Sequence, residues 1–200
     1  MRIGIDISQL AYANTGVANY LRSLVSELLK IDSDNEYVLF FSSLRGTLPD
    51  SDLWLNHARL EIKSENIKAK KVTIRQFKLP PSLLDLLWNK LHLLPIENLI
   101  GDIDIFISSD WTQPPTKAKK VTILYDLIVY KYPEETHNQW QFSLKNLLIK
   151  PNIVASQKRR LKWVKKECEK ILCISEATKK DAEQILGLDA SRLAVIYPGF

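Results

Sequence analysis

The chain has 200 residues, 46% hydrophobic and 26% charged with only 6 glycines, which fits one layered globular core and excludes disordered and fibrous classes. No run approaches the roughly 18 apolar residues of a membrane span, and Met1-Arg2 leads into a short apolar stretch unlike a signal-peptide core, so a cytoplasmic protein is expected. The net charge of +5 suits anionic ligands or an acidic membrane surface without demanding nucleic acid, and Cys168 and Cys173 read as reduced buried thiols.

Arg2 to Ile7 predicts a buried strand, and the polar loop ending Asn14-Thr15-Gly16 predicts the start of a helix carried by Val17, Tyr20, Leu21, Leu24, Val25, Leu28 and Leu29. Tyr37 to Phe41 is the second strand; Leu60 to Ile62 and Val72 to Ile74 are weaker strands around a Lys-rich stretch, Lys63 to Lys71, expected to be solvated and mobile. Pro80-Pro81-Ser82 opens a helical pattern through Leu83, Leu87, Trp88 and Leu91 to Leu94, where Pro95 ends or kinks it.

Asp104 to Ser108 predicts a strand closing on Ser109-Asp110-Trp111, and the apolar run from Val121 stops on the polar pair Tyr125-Asp126. Residues Glu134 to Glu169 read as helix interrupted at Pro151, followed by strand Lys170 to Ile174. Ser175 is placed as the N-cap of a helix through Leu186, Gly187 as the left-handed residue beyond it, and Leu193 to Ile196 as the last strand. Alternating strands and helices imply an α/β fold, a Rossmann-like and mostly parallel sheet with helices on both faces.

In such sheets ligands bind beyond the carboxyl ends of the strands. There Asp126 has the chemistry to hold a substrate hydroxyl or act on a proton, or else to cap a turn. Gly16 suits an anion approaching a helix amino end, or is a plain turn glycine. The loop from Asp6 to Ala18 holds no other glycine, which speaks against a dinucleotide fingerprint. Ser175-Glu176 opens a further helix on the same crevice. Lys158, Lys162, Lys165 and Lys166, with Arg159 and Arg160 beside them, form a helical face that is solvated by default and suited to acidic lipid headgroups as the alternative. His57, His92 and His137 are too scattered to assemble a metal site or triad.

Taken in order, Arg2 to Asp6, Thr15-Gly16-Val17, Val121 to Glu134, Ile174-Ser175-Glu176 and Leu193 to Gly199 resemble the amino-terminal domain of retaining family 4 (group 1) glycosyltransferases of the GT-B fold. The resemblance implies two Rossmann-like domains with sugar transfer in the cleft between them. Residues 1–200 would be the amino-terminal acceptor domain, with the carboxy-terminal donor domain absent from this chain. It implies a nucleotide-sugar donor and a saccharide or lipid-linked hydroxyl acceptor, and since nothing in the residues requires a metal, no cofactor and no metal are expected. Asp126 and Tyr125 would border the reacting sugar, with Gly16, Thr15, Ser175 and Glu176 on the ligand-binding floor.

The chain departs from the family at Tyr125, where members commonly have His, and a phenol cannot titrate near neutrality as imidazole does. It also lacks the family's two glutamates with seven residues between them. The rival readings are a non-catalytic binding or scaffold protein that retains only this domain, and a different α/β enzyme using the same crevice.

Overall fold

The computed structural model describes residues 1–12, 14–46, 48, 72–133 and 153–199. Seven strands form one sheet: β1 (Arg2–Asp6), β2 (Glu36–Ser42), β3 (Val72–Phe77), β4 (Ile105–Ser108), β5 (Lys119–Leu124), β6 (Cys168–Cys173) and β7 (Leu193–Val195). Every pairing is parallel, in the order β3-β2-β1-β4-β5-β6-β7. This is a Rossmann-like order whose direction reverses between β1 and β4, the place where such sheets open a crevice.

The sheet is covered on both faces, which is why its central strands read as unbroken apolar runs. Alternation along β2 sends Tyr37, Leu39 and Phe41 into the core beneath α1 (Gly16–Ile31), with Ile3, Ile5, Leu21 and Val25. Val38 and Phe40 enter the opposite core with Phe106, Trp88, Ile96 and Ile100. A Cβ at Gly4 would lie 2.9 to 3.0 Å from Ile100, Ile103 and Phe106, so this glycine lets a covering layer close onto β1.

The helix expected to run to Leu94 is shorter and of mixed type. An α-helical turn, α2 (Pro81–Leu84), passes into a π-helical stretch over Asp85–Lys90. His92 and Leu94 then take positive φ values of 53° and 64°. Leu94 precedes Pro95, whose ring disfavours the α conformation in its neighbour, and the Trp88 indole fixes the exit by donating to Leu94 O at 2.9 Å.

Short α3 (Glu97–Ile100) and α4 (Ile128–Lys131) precede α5 (Ile153–Glu167) and α6 (Glu176–Leu186). Ser175 caps α6 through the Thr178 amide, and Gly187 is left-handed at φ 61° and ψ 42°. Cys168, expected inside the helix that runs to Glu169, instead opens β6. The strand at Leu60 to Ile62, the Lys63 to Lys71 loop and the helix around Pro151 lie outside the described residues.

Candidate active site

Gly16 begins α1, and Thr15 is its N-cap, accepting the Ala18 amide at 3.2 Å. The Gly16 and Val17 amides take no hydrogen bond among the described residues, so they face outward at the positive end of a 16-residue helix dipole. Gly16 is exposed, its φ is not positive, and a Cβ built on it meets nothing within 4 Å. Neither backbone conformation nor packing demands a glycine here; its absent side chain leaves open space over two free amides.

Across that space, β5 ends on Tyr125-Asp126. A cavity of about 520 Å³ is lined by Gly16, Tyr20, Tyr125, Asp126 and Ile174, and by Pro198-Gly199 after β7. Asp126 is exposed and accepts the Ile128 amide at 3.0 Å, which fixes the turn into α4 and leaves a carboxylate oxygen at the cavity rim. Asp126 therefore has the turn-capping role foreseen as its bland alternative and also lines the cavity.

Tyr125 is buried and packs edge-on against Tyr20, with ring centres 5.5 Å apart. Its hydroxyl is buried beside that of Ser109 at the end of β4, away from solvent. Burial, before any neighbouring charge, pushes the phenol well above its ordinary pKa, so it stays a proton donor at physiological pH. Tyr20 donates to Ile196 O at 2.9 Å and so ties α1 to the segment after β7.

Ser175 and Glu176 do not line the cavity. The Ser175 hydroxyl is spent on its cap and Glu176 is exposed at the start of α6, although the preceding residue, Ile174, is on the cavity wall. Thr178 connects them to the site by donating to Tyr125 O at 3.0 Å. Gly16, Tyr125 and Asp126 thus converge, Thr15 supports Gly16, and Ser175 and Glu176 stand one step behind.

The residue that sequence reasoning misplaced is Arg160. Expected on the solvated face, it is 0% exposed, and its Nη2 donates to Ser109 O (2.7 Å), Thr122 Oγ1 (2.9 Å) and Ile123 O (3.0 Å), clamping the carboxyl ends of β4 and β5 together. Its Nη1 lies 3.6 Å from the Asp110 carboxylate. Burial raises the Asp110 pKa, Arg160 opposes the rise and Asp126 adds to it, so cation and acids share one electrostatic neighbourhood. The signal was present: Arg160 is three residues after Gln157 and four before Val164, both buried.

Both cysteines are free and buried, with thiols pushed up to about 11 by burial. No group of three His, Cys, Asp or Glu able to hold a metal occurs among the described residues.

Residues 14–200, nearly the whole chain, match the family model for glycosyltransferase family 4. The chain belongs to glycosyltransferase family 4. Its parallel Rossmann-like sheet agrees with one half of a GT-B fold, and membership makes this a glycosyltransferase-type domain whose substrates are a sugar donor and an acceptor. A comparison with curated proteins finds no match. No helix of the family 4 domain is long and apolar enough to cross a membrane, among the described residues.

Proposed function

We propose that residues 1–200 form the amino-terminal, acceptor-side domain of a retaining glycosyltransferase that moves a sugar from a nucleotide-sugar donor to a hydroxyl of a saccharide or lipid-linked acceptor. A second Rossmann-like domain outside these residues supplies most of the donor site. The observation that carries the reading is the cavity in which the free amides at the start of α1 face the Tyr125-Asp126 pair.

Amides at a helix amino end stabilise the negative charge that gathers on a departing nucleoside diphosphate. The Tyr125 residue forms part of the wall against which the sugar would pack, and the Asp126 carboxylate accepts from an acceptor hydroxyl, holding it in line for transfer. A buried phenol at 125 that stays protonated takes no proton from substrate, which is also the observation favouring the non-catalytic binding reading.

Calorimetric titration with a panel of nucleotide sugars, phosphorylated sugars and dinucleotides tests this. Gly16→Val and Asp126→Asn, which keeps an oxygen for the Ile128 amide, should each weaken sugar-phosphate binding at least about tenfold, the size of one lost charge-assisted hydrogen bond, with unchanged melting temperatures. Binding of dinucleotides alone would point to a different α/β enzyme.

A further inference from the structure

Helix α5 carries six cations and one carboxylate, Glu167, and the structure uses both arginines internally. Arg160 is buried, and Arg159 pairs with Asp85 at 2.6 Å. Lys158, Lys162, Lys165 and Lys166 remain exposed, with no ion-pair partner among the described residues. Lys158, Lys162 and Lys166 recur every four residues, so they repel along one line of the helix. Such a row is stabilised by an external anion.

Large apolar side chains border the row at both ends. The Lys158 ammonium lies 5.1 Å from the centre of the Tyr130 ring, beside exposed Ile128, Tyr132 and Ile153. The Lys166 ammonium lies 5.0 Å from the Trp163 ring, which stacks on His92 at 3.6 Å; the chain neighbours of His92, Leu91 and Leu93, are 49% and 57% exposed. Contacts of Ser156 and Arg159 with Asp85, and of Trp163 with Asn89 O, join α5 to this leucine-bearing segment.

We infer that the outer face of α5, with the adjoining segment carrying Leu86, Leu91 and Leu93, is a docking surface for a membrane bearing anionic lipid headgroups. Ammonium groups meet headgroup phosphates while leucine and tyrosine side chains reach the acyl boundary. A dissolved acidic polymer would match the lysines but leave the leucines in water. The surface stands apart from the cavity, so the inference does not depend on the proposed reaction. The amino end of α5 reaches the carboxyl ends of β4 and β5, where Gln157 donates to Asp110 O at 2.8 Å, and docking would hold the crevice mouth near the headgroups.

Co-sedimentation with vesicles of equal parts phosphatidylglycerol and phosphatidylcholine provides the test. The protein should pellet with these vesicles, remain in solution with pure phosphatidylcholine, and be released by salt. Each lysine near an anionic surface contributes roughly fivefold to partitioning, so K158Q/K162Q/K166Q should lower it roughly a hundredfold. L91N/L93N should also weaken it while preserving the salt dependence. Thermal melts confirm that the variants are folded, and ligand binding at the cavity should stay at the wild-type level in both. Wild-type protein left in the supernatant, equal binding by the triple variant, or displacement by millimolar inorganic phosphate as a soluble competitor would overturn the inference.

Discussion

Two polar regions lie at the carboxyl ends of the central strands and are built on opposite terms. On the α1 side, the amides of Gly16 and Val17 and a rim oxygen of Asp126 face a cavity that the Tyr125 residue also lines. On the α5 side, equally polar groups form a seam and bond mainly to one another. Asn89 donates to Asp85 and Trp111 O and accepts the Gln113 amide, the Gln113 side chain accepts from Ser108, and Arg160 serves three oxygens. Buried polar groups that satisfy one another specify a fold, whereas groups left open at a cavity are available to a ligand. The contrast separates structural from functional polarity without reference to residue type.

The sharpest way to break this division is at Arg160. Arg160→Met should destabilise the domain by about 3–5 kcal/mol, because it strands the Asp110 carboxylate and three oxygens without their donor. Urea unfolding measures the loss, and a loss below about 1 kcal/mol would mean that the seam is not what holds β4 and β5 in place.

Two glycines give the next largest contrast. Gly4→Ala forces a methyl into Ile100, Ile103 and Phe106 and should cost about 1–3 kcal/mol. Gly16→Ala meets open space and should leave stability within about 0.5 kcal/mol while weakening ligand binding. Equal thermal shifts in the pair would remove the distinction between a packing glycine and a site glycine.

The smallest effect concerns Asp6, buried at the end of β1 beside a recess of about 30 Å³ and accepting the Ser8 amide at 2.9 Å. Burial raises its pKa above the unfolded value, so the native state holds this proton more tightly. That contribution is fully present below about pH 4 and is lost as pH rises through the folded pKa. Asp6→Asn, which never ionises, should therefore melt above wild type at pH 7, with the gain shrinking toward pH 4. An identical difference at both pH values would show that desolvation of this carboxylate is not the cause.

Much of the fold was legible along the chain because its signals are local. The runs at Tyr37–Phe41 and Val121–Leu124, the Thr15 and Ser175 caps and the left-handed Gly187 each depend on a few neighbouring residues. The misreadings share a cause: a charge was assigned to solvent and a helical period was extended on local grounds. Arg160 is buried because carbonyls from two strands distant in sequence receive it, and Cys168 leaves the helix to pair with Lys120.

The amino-acid sequence alone determined that strands would alternate with helices, that β5 would stop at Tyr125-Asp126, and that a helix would start at Gly16. Only the tertiary structure decided that these two places face one cavity, that Ser175 stands behind it, and that Arg160 lies inside while its lysine neighbours stay outside. Periodicity and capping act over a few residues, whereas strand order and the partners of a buried charge are set by contacts between segments far apart in the chain.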